Sequence, residues 1–85
     1  MYKVILANKP AKVYESLDNK TAKRINKAIE EIAINPAIGK NIKKLKGKLR
    51  NFYRYKTGDY RIVYSIDKEI KIVAVVWIGK REDAY

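Results

Sequence analysis

The chain contains neither cysteine nor histidine. Without cysteine there is no disulfide staple and no thiolate metal site; without histidine the commonest general base and imidazole ligand are both gone. Acid–base chemistry, if the chain performs any, must run on tyrosine, lysine or carboxylates. Glycine and proline are scarce, at four and two residues, and no glycine-rich stretch has the form of a phosphate-cradling loop. No pair of carboxylates has the spacing of a glycosidase or a metal site. No metal, cofactor or small-molecule ligand is therefore expected. Apolar runs are short as well. None approaches the ~20 residues of a membrane span, and Met1-Tyr2-Lys3 leads into an alternating stretch rather than a signal peptide, so the cytoplasm is the expected compartment.

The most telling absence is of acids. Between Ile32 and Gly58 there is no Asp or Glu, yet that stretch holds Lys40, Lys43, Lys44, Lys46, Lys48, Arg50, Arg54 and Lys56, and the whole chain carries a net charge of +11. Such a field favours polyanions: nucleic acid, an anionic membrane surface or an acidic protein. A lysine-rich solubilising face, as in proteins of hot environments, is the other reading of the Lys40–Lys48 run. At 85 residues the chain makes one domain, residues 1–85, with a single core.

What is present is a β-meander in the last third. Thr57-Gly58-Asp59 and Asp67-Lys68-Glu69 read as turns, because glycine supplies positive φ and aspartate bonds its own backbone. Around them lie three runs rich in Tyr, Ile and Val, which suit a pleated, half-buried surface. In Tyr60–Ile66 the even positions Tyr60, Ile62, Tyr64 and Ile66 form a core face. In the preceding strand Tyr53 and Tyr55 join that face. Arg54, Lys56 and Arg61 then share the other. The run from Ile70 to Ile78 is apolar on both sides, as in a strand covered on both faces.

Upstream, Tyr2–Ala7 reads as a first strand. Asn8 is a plausible N-cap, with Pro10 in the first turn of a short helix carrying Val13, Tyr14 and Leu17. Asp18-Asn19 breaks it. A longer helix from about Lys20 to Ile34 follows, with Ile25, Ile29 and Ile32 at helical spacing, and ends at Asn35-Pro36. Ala37–Lys48 reads as an irregular linker anchored at Ile42 and Leu45. The expected fold is α+β, in the order β-α-α-β-β-β, with a helical hairpin packed on one face of a mostly antiparallel four-stranded sheet.

One constellation is suited to chemistry. Arg54, Lys56 and Arg61 share the face opposite the core, and the chain end offers Lys80, Arg81 and Tyr85. If the final strand returns beside that of Arg61, Arg81 reaches the same concavity. A phosphodiester under attack builds negative charge on its non-bridging oxygens, which guanidinium forks match bidentately. Metal-free RNA cleavage uses the neighbouring 2′-OH as nucleophile and needs one group to take its proton and another to protonate the leaving oxygen. Tyr85 is the best candidate, since a cationic surround favours phenolate; packing of a terminal aromatic on the sheet is the plainer reading. Lys56 suits electrostatic support, and Asp59 reads as a turn residue. Trp77 reads either as core, as a base-stacking ring or as a dock for a partner helix.

The stretches Leu45-Lys46-Gly47, Tyr53-Arg54-Tyr55-Lys56-Thr57-Gly58-Asp59-Tyr60-Arg61-Ile62-Val63-Tyr64, and Ile78-Gly79-Lys80-Arg81 with Tyr85 resemble the RelE/ParE toxin superfamily of type II toxin–antitoxin modules, with RelE-like mRNA interferases nearest in pattern. The resemblance implies a RelE-like, microbial-RNase-type fold and a ribosome-dependent mRNA endonuclease acting in the A site, silenced by a cognate acidic antitoxin. It implies that Arg61 and Arg81 contact the scissile phosphate, that Tyr85 orients or deprotonates the 2′-OH, and that Arg54 fills a basic position on the second strand of the β-α-α-β-β-β order. Lys43, Lys44, Lys46, Lys48, Arg50, Lys56 and Lys80 are then the RNA and ribosome contacts, and Trp77 and Phe52 are candidates for antitoxin contact or base stacking. Phe52 departs from the pattern, standing where active members carry lysine. The alternatives are a ParE-like toxin that inhibits DNA gyrase without cutting RNA, or a degenerate toxin that keeps only antitoxin binding.

Overall fold

A computed structural model of the chain describes residues 1–80. The elements run β1 (Lys3–Leu6), α1 (Asn8–Glu15), α2 (Asn19–Ile34), β2 (Ile42–Lys44), a 3-10 turn (Gly47–Leu49), β3 (Phe52–Thr57), β4 (Tyr60–Asp67) and β5 (Ile72–Gly79). They form one five-stranded sheet in the order β1-β5-β4-β3-β2. β1 runs parallel to β5 and every other pairing is antiparallel. The α+β reading holds, with one strand more than expected. The extra strand is β2, inside the stretch read as an irregular linker. Three residues are too few to show a period, and its pairing of Ile42 with Tyr55 and Lys44 with Tyr53 is a tertiary fact.

Both α-helices lie on one face of the sheet. Ile25, Ala28 and Ile32 of α2 meet Tyr55, Ile62, Tyr64, Val73, Val75 and Ile78 in a single buried cluster, with Leu6, Val13, Leu17 and Ile29 packed around it. The 3.6-residue stripe of α2 thus finds the period-two stripe of the sheet. Proline breaks α2 at the expected place: Asn35 takes an extended backbone, and its side-chain carbonyl accepts from the amides of Ala37 and Ile38 at 3.4 and 3.3 Å. At the other helix the cap differs. Ala7 is the N-cap of α1, without a side-chain bond, and Asn8 is already helical. Among the described residues no helix is long and apolar enough to cross a membrane.

The two turns of the meander set its register. Gly58 adopts φ +58° as the first of two loop residues, so Thr57 faces Tyr60, the sign of φ that a tight right-twisting hairpin requires. At the second turn Asp67 Oδ1 accepts from the amides of Glu69 and Ile70 at 3.1 and 3.3 Å, and Lys71 takes a left-handed φ of 58°. That local capture delays β5 to Ile72 and leaves Ile70 exposed, although the sequence pattern starts the strand at Ile70.

β5 also departs from simple alternation. Val63 pairs with Trp77 and Tyr64 with Val75, which leaves Val76 as an extra residue in a β-bulge. Val73 and Val75 face the core before it, and Ile78 faces the core after it. The two-sided apolar pattern of this strand is thus the trace of a parity switch, and among the described residues no α-helix covers its second face. Ile5 and Val76 are exposed.

Tyr64 is the hub of the core. It is fully buried, its ring stacks on Tyr53 at 5.9 Å, and its hydroxyl donates 2.7 Å to the carbonyl of Pro36, which is buried as well. Burial pushes its phenol far above the ordinary tyrosine value, and Tyr55 is raised for the same first reason. The unfolded chain releases the Tyr64 proton near pH ~10, while the folded chain retains it. The stability linked to this group is therefore complete below that pH and falls as pH rises above it. Tyr64→Phe leaves the Pro36 carbonyl unsatisfied and should cost about 1–3 kcal/mol at neutral pH. Urea unfolding at pH 7 and pH 11 checks both effects: the variant loses less stability than the parent between the two.

Candidate nucleic-acid interface

Residues paired across neighbouring strands share a face, so the register of β2–β5 shows what the helix-free side carries. One row runs Lys43, Arg54, Val63, Trp77. The next runs Lys56, Arg61, Gly79. On the far side of the first row lie Phe52, Ser65 and Ala74. Adjacent strands are about 4.8 Å apart, so four cations occupy three neighbouring strands within about 10 Å across the sheet. Two of the contacts are like-charged: Lys43 stands directly opposite Arg54, and Lys56 directly opposite Arg61. Cross-strand pairs of one sign are destabilising. Two such pairs stand side by side on the open face, where a bound anion would relieve their repulsion.

The side chains are partly fixed already. Arg54 and Arg61 are half-buried, while Lys43 and Lys56 are exposed. Arg61 donates from Nη1 to the carbonyl of Asp59 at 3.3 Å, which holds its fork toward the β3–β4 turn. Asp59 thus contributes its backbone to the site, in keeping with a turn residue. The acid on the same face, Asp67, lies six residues from Arg61 along β4, about 20 Å away, opposite Ile72.

Other basic residues go elsewhere. Lys44 pairs with Tyr53 and so points to the helix side. Lys80 also lies on the helix side, its ammonium 5.6 Å from the centre of the Tyr60 ring, in a cleft with Thr21 and Arg24 of α2. Lys46, Lys48 and Arg50 are exposed around the 3-10 turn between β2 and β3. That connection joins β3 at Phe52, the opposite end from Arg61. Arg50 and Lys44 line a shallow depression there with Lys68. Arg81 and Tyr85 lie outside the described residues.

Two features of the face escape sequence reasoning. The bulge at Val76 carries Trp77 out of the core parity of Val73 and Val75 and sets it on the cationic face. Gly79 then makes room for it: a Cβ at that position would lie 2.3 Å from Cζ2 and 2.6 Å from Cη2 of Trp77. The available signal was the glycine itself, two residues after a tryptophan in a strand, where close approach is a common reason for glycine.

Comparison with known proteins gives a consistent picture. A family model described as ParE toxin of type II toxin-antitoxin system, parDE, matches residues 6–85. Among curated proteins no sequence match is found. The fold is similar to that of the isolated Escherichia coli RelE toxin, at 27% identity and a TM-score of 0.82 over 96% of this chain and 86% of the other. The intact E. coli RelBE toxin–antitoxin complex matches with 27% identity and a TM-score of 0.82, over 96% and 99% of the two chains. The archaeal RelE–RelB complex from Pyrococcus horikoshii OT3 matches at 24% identity and a TM-score of 0.80, over 95% and 96%.

If the open face takes a phosphate backbone, its cations should set the salt dependence of binding. Each phosphate contact to a single strand contributes roughly 0.7 to the slope of log K against log salt. Arg54→Ala and Lys56→Ala should each lower the slope for a short single-stranded RNA by about that amount, measured by fluorescence anisotropy. Lys9→Ala and Lys12→Ala, on exposed positions of α1, should leave it unchanged.

Proposed function

Since the chain belongs to the ParE toxin family of type II toxin–antitoxin systems, we propose that it is the toxin of such a module and acts as a ribosome-dependent mRNA endonuclease. The observation that carries this reading is the pair of like-charged contacts, Lys43 with Arg54 and Lys56 with Arg61, side by side on the helix-free face. A phosphodiester drawn onto them gains bidentate contacts, and the negative charge that builds on its non-bridging oxygens during attack is met by groups already in place. The nucleophile is the 2′-OH of the substrate. Its proton and that of the leaving 5′-oxygen must be carried by residues other than histidine. Tyr55 and Tyr64 are held neutral in the core by burial. Tyr85 is assigned the 2′-OH, and Arg81 joins Arg61 at the phosphate. Lys46, Lys48 and Arg50 extend the positive field past the sheet, toward ribosomal RNA.

A second reading, the alternative that the sequence resemblance raises, is a toxin that inhibits gyrase without cutting RNA; the family match supports it only in naming ParE. Primer extension on an mRNA in a purified translation system separates the two. Cuts within codons are expected only when ribosomes are present, and Arg61→Ala/Arg81→Ala should reduce them by about 10²–10³-fold. If no cuts occur in any lane while the chain blocks DNA supercoiling by gyrase, the nuclease reading fails and the face is a binding surface.

The solved complexes of RelE with RelB support a cognate antitoxin for this chain. An acidic antitoxin segment that orders on binding would compete with RNA for the cations of the open face. Arg54→Glu/Arg61→Glu should then weaken antitoxin binding by about tenfold or more, measured by calorimetry with the partner encoded beside it. Unchanged affinity would place the antitoxin elsewhere.

A further inference from the structure

Trp77 is the chain's one tryptophan, and three independent features bring it to the cationic face. The bulge at Val76 removes it from the core parity of β5; bulges commonly re-aim a side chain next to a functional site. Gly79 lacks the Cβ that would collide with Cζ2, Cη2 and Cε2 of the indole, at 2.3, 2.6 and 3.0 Å, so the six-membered ring lies across the strand there. Gly79 is the direct partner of Arg61, so the ring lies over the strand position next to Arg61, the two backbones being about 4.8 Å apart. Trp77 itself shares a row with Arg54 and remains partly exposed.

Trp77 lies outside the helix-side core cluster of Val73 and Val75, beside Val63, which is buried on this face. Here the strand spends a bulge and a glycine to seat it among cations. From this juxtaposition we infer that Trp77 is a stacking platform for one base of a single-stranded RNA whose backbone is held by Arg61 and Arg54. The platform rests on the RNA reading given above and adds to it a contact with the base. Stacking on an aromatic face tolerates every base but is strongest for the larger ring systems, so Trp77 biases which nucleotide sits beside the phosphate site. Gly79 is a positioning residue, because it acts through the ring. The same side of the sheet also carries Phe52, Ala74 and the exposed Ile5, so docking of a protein on the ring is the competing outcome that the test separates.

The test uses the whole chain and two labelled oligomers of equal length: a 2′-O-methyl oligoribonucleotide, which cannot supply the attacking hydroxyl, and its abasic counterpart. Anisotropy reports binding, and the emission of the single tryptophan reports the ring. Both oligomers should bind, and only the base-bearing one should quench Trp77. Trp77→Leu should weaken the base-bearing oligomer by roughly 10- to 100-fold and leave the abasic one unchanged, with Trp77→Phe in between. Gly79→Ala keeps the indole but displaces it, and should reduce both quenching and base-dependent affinity. The inference is overturned if the base-bearing oligomer binds the parent without quenching, or if Trp77→Leu binds it as well as the parent does; the ring would then be a packing or protein-docking residue. If neither oligomer binds the parent, the platform is overturned, while the nuclease reading stands or falls on primer extension with ribosomes.

Discussion

The structure depends on the burial of α2 against one side of the sheet. Ile25, Ala28 and Ile32 close over Tyr55, Ile62, Tyr64, Val73 and Val75, and apolar burial of this kind is the dominant favourable contribution to folding. Because the helices cover that side, the other side of β3 and β4 carries little of the packing, with Val63 its buried residue. It can carry arginines and lysines directly opposite one another, an arrangement that opposes folding slightly and favours an anion strongly. Core packing and the cluster of cations are thus divided between the two faces of a single layer, strand by strand, at alternate residues.

Tyr64 shows how tightly the helix side is held. Its hydroxyl reaches the carbonyl of Pro36 beyond the end of α2, so the proline that stops the helix also anchors the sheet to the segment leading into β2. That segment brings Lys43 opposite Arg54. One buried phenol on the core face therefore helps to position a cation on the open face.

Much of this was legible in the sequence. The parity of Tyr60–Ile66, the turn at Gly58, the α2 stripe and the sharing of one face by Arg54, Lys56 and Arg61 all follow from local periods and local turn chemistry. The rest depended on pairing. β2 is too short to announce itself, and Lys43 joins the site only through its partner on β3. The bulge at Val76 is invisible to any period-two reading, which makes β5 look covered on both sides when it has switched sides. Lys80 follows Gly79 in sequence, yet it ends over Tyr60 on the helix side, because one residue of a strand reverses the face.

On the proposed function, RNA lies on the helix-free face, from Lys43 across Arg54 and Arg61 to Trp77. Mapping amide and indole NMR shifts during titration with a 2′-O-methyl oligoribonucleotide tests it most directly. Perturbations should concentrate on Lys43, Arg54, Lys56, Arg61 and the Trp77–Gly79 segment. Perturbations centred instead on α1, α2 or the cleft holding Lys80 would contradict it.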